Sequence, residues 1–497
     1  VLIRHTYVNV VSNVVGAAVG FAGSILIVRV YGVEVVGKIA YMTGLVGLLR
    51  FVVDLGIDQA GLKYMAEKEE DYAPEFTAYL SIKIGLLLLF LLMAAVFLFH
   101  VFKPEDPLLY VIVTANIFWL SFADVFVNLL TARRAFVPLG FRRIASRVVM
   151  LGFTVLFCTA VQNWYYIALL PSLECFFMIL FFVPYMTGTM KIRLGLPDRG
   201  LLKKHCKYAL PLSLSEGIGL SLSNVDKVFV GHLLSDAHVG YLAVAERVYG
   251  GFLVIVKAVT QQLLPEITYR LANLKEEVFH RQMEKIVRMT SVLGTFLALT
   301  VLAYADVLVY TMYGPGLETA SFILRVFSLE ILVKLFFRPY HSLVYATERH
   351  RIFLWLTIPN QAIRTFLTYF LIPFQVAGLT IGGAAKPLAI AIVWVAPRGV
   401  TVLHTVKKTF NTLFLSRNKI IYGVFLGLGA AALAMDHWIA NRPAMAFVGA
   451  AVLGLHVLLL RRLGVIENEV FQDLTRPLLE AIEVLKRKKG LKTGDSL

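Results

Sequence analysis

Apolar residues run along this chain in stretches of about twenty, separated by short polar connections. A helix rises about 1.5 Å per residue, so about 20 residues cross a ~30 Å hydrocarbon layer. On that scale the pattern predicts fourteen spans, over 8–29, 36–57, 79–101, 108–130, 145–165, 168–189, 208–230, 237–260, 289–311, 319–340, 352–372, 377–397, 419–438 and 443–460. The connections test the number. Those after even-numbered spans, with their edges, carry 26 Lys and Arg, among them Arg133, Arg134, Arg142, Arg143 and Arg147, and then Lys191, Arg193, Arg199, Lys203, Lys204 and Lys207. The odd-numbered ones carry only Arg29, Lys38, Lys103 and Arg442. A miscounted span would scramble this alternation, which predicts cytoplasmic N- and C-termini.

Composition sharpens the picture. Of 497 residues 58% are hydrophobic and only 16% charged, with a mean hydropathy of +0.74, whereas soluble domains carry about 25% charged residues. A soluble enzyme, a transcription factor and a disulfide-stapled secreted domain are excluded. The net charge of +16 sits at the ends of apolar segments, where membrane anchoring explains it without nucleic acid. Cys158, Cys175 and Cys206 have no C-x-x-C spacing, so no disulfide or metal follows from them. The first apolar run lacks a small-residue cleavage site and reads as a retained span. After Arg462, residues Phe471, Leu474, Leu478, Ile482 and Leu485 recur on one helical face, which predicts an amphipathic helix at the cytoplasmic interface, bent by Pro477 unless a turn starts there.

The fold expected is an all-α polytopic membrane protein. An N-terminal lobe (1–190), a basic cytoplasmic linker (191–207) and a C-terminal lobe (208–397) flank a central cleft; a cytoplasmic connection (398–418), two further spans (419–461) and a cytoplasmic tail (462–497) follow. The halves share features. Arg29-Val-Tyr-Gly-x4-Gly37 joins the first two spans and Gly231-x8-Gly240-Tyr241 joins the seventh and eighth, as expected of a duplicated carrier. The G-x-x-x-G matches Gly16/Gly20 and Gly423/Gly427 signal no more than close helix packing.

Ionisable residues within spans carry the chemistry, because each costs several kcal/mol if it faces lipid. The second span holds Arg50 and Asp54, and the seventh Glu216, Asp226 and Lys227. The eighth holds Glu246, Arg247 and Lys257; the tenth Arg325, Glu330 and Lys334; the eleventh Arg364 behind Pro359; the twelfth Lys386 beside Pro387. Lys83, Asp124, Glu174 and Asp306 lie nearer span ends, where reaching an interface explains them. Arg50 with Asp54 and Glu330 with Lys334 are spaced i,i+4, as for ion pairs on one helix face. Arg364 and Lys386 have no acid within a turn of their own helices. Expected at mid-membrane depth beside two prolines, they call for an anionic ligand such as a phosphate or pyrophosphate, or for a carboxylate from another helix. Candidate substrate-binding residues are Arg29, Arg50, Arg247, Lys257, Arg364 and Lys386. Candidates for H+ or Na+ coupling, or for structural ion pairs, are Asp54, Asp226, Lys227, Glu246, Glu330 and Lys334. No catalytic residue, metal site or cofactor is expected, and no Walker-type loop is visible.

The stretch Ile25-Leu-Ile-Val-Arg-Val-Tyr-Gly-Val-Glu-Val-Val-Gly37, followed by Leu49-Arg-Phe-Val-Val-Asp-Leu-Gly-Ile-Asp58, resembles the opening of prokaryotic polysaccharide exporters. Asp226-Lys-Val-Phe-Val-Gly231, Val239-Gly-Tyr-Leu-Ala-Val-Ala245 and Leu264-Pro265 resemble the start of that family's C-terminal lobe. These exporters belong to the multidrug/oligosaccharidyl-lipid/polysaccharide exporter superfamily. The resemblance implies a flippase that moves a polyprenyl-pyrophosphate-linked oligosaccharide across the cytoplasmic membrane of a prokaryote by alternating access, in contact with membrane lipid and with other glycan-assembly membrane proteins. By position, Arg29 and Arg50 match the family's basic substrate contacts. A cation- or proton-coupled multidrug antiporter of the same superfamily and a membrane-embedded glycan-pathway enzyme are the alternatives.

Overall fold

The computed structural model describes residues 2–67, 72–102, 104–133, 135–188, 190, 195–222, 224–349, 351–376, 379–415, 418–438 and 442–465. The expected tail helix over 471–485 and the basic residues Lys68, Lys103, Arg134, Lys191, Arg193 and Arg417 lie outside the described residues, as does the side chain of Glu216. Among the described residues the elements are helical, apart from a two-residue antiparallel pair, Gln375–Val376 with Leu379–Thr380.

Helix α1 (Leu2–Gly47) is two legs merged across Gly32, whose φ of +80° breaks the helix where only glycine adopts the backbone without strain. After a 3-10 turn at Leu48–Arg50, α2 (Phe51–Asp54) ends in a left-handed pair, Leu55 and Gly56, and α3 (Ile57–Glu67) follows. Four legs complete the first half: α4 (Ala73–Val96), α5 (Pro107–Ala132), α6 (Phe136–Leu156) and α7 (Trp164–Gly188). Helix α5 starts as its sequence dictates. Pro107 fills the first turn and the Asp106 carboxylate accepts from Leu109 N at 3.0 Å, a proline-plus-cap start.

The seventh leg is divided into α8 (Arg199–Leu222) and α9 (Val225–Leu233). Then come α10 (Asp236–Asn273), α11 (Glu276–Tyr313), α12 (Glu318–Ala346) and α13 (Arg351–Leu371). The twelfth leg is again divided, at Ala396, into α14 (Ala385–Val395) and α15 (Pro397–Phe410), and α16 (Asn418–Trp438) and α17 (Arg442–Arg462) end the series. Among the described residues these make fourteen legs, matching the hydropathy pattern. Ten helices pass a length-and-apolarity criterion for crossing a bilayer. Among the legs described in full, α12 does not, and it carries Arg325, Glu330 and Lys334.

By contact the chain forms two compact units that cut across the sequence halves. The first comprises Val1–Val254, Leu308–Leu324 and His350–Val393; the second comprises Ile255–Val307, Arg325–Arg349 and Trp394–Leu497. In the first unit one apolar core joins α3, α4, α5 and α7 around Tyr79, Phe126, Leu129 and Phe182, and another joins α1, α4 and α5 around Val46, Phe90 and Tyr110. In the second unit α16 and α17 pack on α11 through Ala298, Leu299, Phe425, Leu428 and Val452, and Tyr304 Oη donates to Ala446 O at 2.9 Å.

The first unit contains a close crossing of the two sequence halves. A Cβ on Gly37 would lie 1.8 Å from Asp236 O, and a Cβ on Gly240 would lie 2.1 Å from Val33 O. The contact is reciprocal, because each glycine meets the carbonyl four residues before the other. Gly231 likewise admits the Tyr41 ring. The two glycine junctions noted in the sequence therefore meet face to face, and their lack of side chains lets the backbones touch. By contrast, Gly20, Gly423 and Gly427 have nothing within 4 Å of a Cβ, and Gly16 meets only the Arg147 side chain. The G-x-x-x-G matches do not mark the tight crossing.

We expect Gly37→Val or Gly240→Val to destabilise the purified protein by about 1–3 kcal/mol or more through overpacking. Gly20→Ala should stay within about 0.5 kcal/mol. Thermal unfolding in detergent reads both, and equal effects at the three positions would contradict the crossing.

Candidate functional site

The division of the seventh leg strands polar backbone inside the membrane, and side chains from three other legs close on it. The α8 helix ends at Leu222, and its free carbonyl accepts from Arg364 Nη2 on α13 at 2.6 Å. Arg364 Nη1 donates to Asp226 Oδ2 in the first turn of α9 at 2.8 Å, and Nε donates to Gln361 at 2.9 Å. One guanidinium thus holds both sides of the break, using the planar fork of donors that lysine lacks. Lys386 Nζ, from the first turn of α14, lies 3.4 Å from the same Asp226 oxygen and 2.5 Å from Glu246 Oε1 on α10. Lys227 Nζ reaches the other Glu246 oxygen at 3.2 Å.

Three cations and two anions form this network. Asp226 is fully buried and Arg364 nearly so. A lone charge here would cost several kcal/mol, and the pairs offset that only because both carboxylates are held by more than one donor. One positive charge remains in surplus. Asp226 Oδ1 is buried without a hydrogen-bond partner, and so are both amide atoms of Asn360, one turn before Arg364. Unsatisfied buried polar groups are rare enough to mark a strained or functional place.

Of the two partners left open for Arg364 and Lys386, the carboxylate from another helix is present: Asp226 and Glu246 pair them. Their expected setting changes. Pro359 lies inside α13, and Pro387 follows Lys386 in the first turn of α14, so neither divides a helix. The break beside the charges is the one in the seventh leg. Arg364 lies seven residues before the end of α13, about 10 Å of rise. It lies three residues past the midpoint of that helix, so the network sits near the middle of the leg, displaced toward its C-terminal end.

Other expected residues divide by role. Glu330 and Lys334 are joined along α12 as their i,i+4 spacing predicts. Arg50 and Asp54 form no ion pair with each other among the described residues; Asp54 Oδ1 accepts from Asp58 N at 3.2 Å. Arg29 donates to Thr311 O and Met312 O at 2.6 and 2.7 Å, capping the last turn of α11. Arg247 and Lys257 on α10 are exposed and make no ion pair among the described residues. Arg50 is half-buried.

The span-end reading of Lys83 is corrected, because its side chain is buried. Lys83 is 1% exposed and bonds Asp58 Oδ1 at 2.7 Å, an oxygen that also accepts from Tyr79 Oη at 2.7 Å, while Asn128 donates to Tyr79 Oη at 3.0 Å. Glu174 pairs with Arg147 and Asp306 with Arg325. Sequence reasoning missed the Asp58–Tyr79–Lys83–Asn128 network. Asp58 and Lys83 are 25 residues apart across a connection, and the only signal was a lysine four residues from a tyrosine within an apolar run.

A fourteen-legged helical bundle with buried ion networks and a divided leg is the build of a multi-pass membrane transporter, since discontinuous helices and interior charges line paths rather than face lipid. The chain belongs to the polysaccharide biosynthesis protein family, which matches residues 2–269. No curated protein matches it. Among solved structures it is similar to the lipid II flippase MurJ in an inward closed conformation, with TM-score 0.67 and 15% identity over 91% of this chain and 98% of that one. An inward-facing multidrug resistance MATE family transporter of the MOP superfamily aligns with TM-score 0.65 and 13% identity, over 81% of this chain and 96% of that one. An outward-facing MATE structure gives 0.54 and 13%, over 83% and 96%. The fold is that of this transporter and flippase class.

Arg364→Gln and Asp226→Asn should each lower stability by about 3–5 kcal/mol, since each leaves a buried partner uncompensated. The double variant should recover part of that loss. Thermal unfolding of the four proteins closes the cycle, and strictly additive losses would show that the two side chains do not interact.

Proposed function

We propose that this protein flips a polyprenyl-pyrophosphate-linked oligosaccharide, or a related anionic glycolipid, across the cytoplasmic membrane of a prokaryote, with both termini cytoplasmic. Family membership supports a role in polysaccharide biosynthesis, and the name of MurJ supports a lipid-linked substrate. The observation that carries the reading is the sign of the interior charge: three cations meet two anions at the divided leg. The exposed Arg247 on α10 is one residue from Glu246 of that network, and Arg247 and Lys257 make no ion pair among the described residues.

In this reading Arg364, Lys386, Asp226, Lys227 and Glu246 hold the divided leg and set a positive background. Arg247 and Arg50 meet the pyrophosphate, with Lys257 further along α10. Alternating access takes the headgroup in at the basic, cytoplasmic face and releases it at the other, while the isoprenoid tail stays in lipid. A multidrug antiporter would call for acids in surplus, and the network carries the opposite sign. Coupling to H+ or Na+, where it operates, falls to Asp54. Of the four acids considered, Asp226, Glu246 and Glu330 are held by cations, whereas Asp54 bonds a backbone N–H.

Flipping of a labelled polyprenyl-pyrophosphate glycan in vesicles containing the purified protein tests this. Arg247→Gln and Arg50→Gln should each slow it about tenfold or more, the loss of a charge-assisted bond of about 1.5 kcal/mol, with membrane insertion intact. Unchanged rates in both variants would sink the substrate assignment. Asp54→Asn should remove any dependence of the wild-type rate on a pH or Na+ gradient; a gradient dependence that survives places coupling elsewhere.

A further inference from the structure

The start of α8 carries a titratable group that the network above does not use. His205 lies in its second turn, before the apolar run that begins near Tyr208, and its ring is 0% exposed. Its Nε2 stands 2.7 Å from Glu75 Oε2, near the start of α4, and Lys204 Nζ donates to Glu75 Oε1 at 2.9 Å. The Tyr64 ring of α3 meets the imidazole edge-on at 4.9 Å. One residue of α8 thus touches both α3 and α4.

The geometry fixes the tautomer. An ionised carboxylate only accepts, so Nε2 is the nitrogen that carries the proton, and a second proton has to enter at Nδ1. Nδ1 is buried without a hydrogen-bond partner. An N–H created there would have no acceptor, and a charged donor left without one costs more than a neutral one. The charges around the ring divide. Glu75 favours the imidazolium. Lys204 opposes it, and its ammonium is 3.9 Å from the centroid of the same Tyr64 ring. Lys63 on α3, 4.3 Å from the Tyr208 ring, adds a further positive charge, offset in part by Glu67 at 3.9 Å. Burial outweighs the Glu75 carboxylate and holds His205 below the ordinary histidine range.

We propose that His205 is a proton-sensitive fastener: neutral, it holds the start of α8 against α3 and α4, and a proton at Nδ1 releases it. The sign follows from the two states. Seated, the ring titrates below the ordinary value of about 6.5, which it regains once it reaches water. Protons therefore bind the released joint better and shift the equilibrium toward it. The seated joint prevails at neutral pH and is lost as pH falls through about 6.5 toward the lowered value. Helix α8 is also the one whose other end, Leu222 O, accepts from Arg364, so acid acts on the leg that carries the interior network. This holds whatever substrate the protein moves.

Pulsed electron paramagnetic resonance on the full-length protein in detergent tests the fastener. Spin labels go on the exposed Cys206 of α8 and on Ala66→Cys, exposed on α3, in a background of Cys158→Ala and Cys175→Ala. Between about pH 7.5 and about pH 5, the distance in this parent should acquire a longer component. His205→Gln, whose amide still donates to Glu75 but does not titrate, should give one distribution at both pH values. Glu75→Gln removes the charge that favours the seated imidazolium and should move the change to higher pH. A parent distance indifferent to pH, or one that shifts equally in His205→Gln, overturns the proposal. So does a midpoint unmoved in Glu75→Gln.

Discussion

A charged group in hydrocarbon costs several kcal/mol, and so does a carbonyl without a donor. The seventh leg incurs both costs at once, and Arg364 meets both. Its guanidinium joins the carbonyl at the end of α8 to the carboxylate at the start of α9. The guanidinium places separate nitrogens, Nη1 and Nη2, on the two acceptors while Nε donates to Gln361, a spread of donors that the single nitrogen of a lysine lacks. Without that bridge the leg would have to close into a continuous helix or admit water. Arg364 ties α13 to both sides of the break, and Lys386 ties α14 to it through Asp226 and Glu246.

The first unit joins the two sequence halves by contacts of different kinds. At the glycine crossing, Gly37 and Gly240 bring backbone against backbone, and no side chain intervenes. At the start of α8 the contact is ionic and aromatic: Glu75 is held by Lys204 at 2.9 Å and His205 at 2.7 Å, and Tyr64 packs edge-on against His205. The α8 helix therefore rests on first-half helices at one end and is held by a second-half arginine at the other. A leg bound in this way links the halves physically, which a carrier built by duplication requires if one half is to respond to the other.

Much of the fold was legible in the sequence. The twenty-residue apolar period and the alternation of basic connections gave the fourteen legs, because bilayer thickness and the cost of moving cations are local constraints. The Glu330–Lys334 pair was legible for a similar reason: four residues on one unbroken helix always make neighbours. The same rule did not pair Arg50 with Asp54, whose carboxylate accepts from Asp58 N instead. It could say nothing of Lys83 and Asp58, or of Lys386 and Glu246, whose members sit on different helices. Arg364 and Lys386 stood out as lacking local acids, and that was correct within their own helices. Their partners came from α9 and α10.

The sequence by itself determined that this is a helical membrane protein of fourteen legs and which residues are too costly to face lipid. These follow from the period of hydropathy, a property of short windows. Only the tertiary structure decided which charge answers which, that the break beside the charges is the one in the seventh leg, and that the two glycine junctions face each other. Coulomb energy and hydrogen bonding act over a few ångströms in space, and separations of 138 and 140 residues along the chain carry no trace of that proximity.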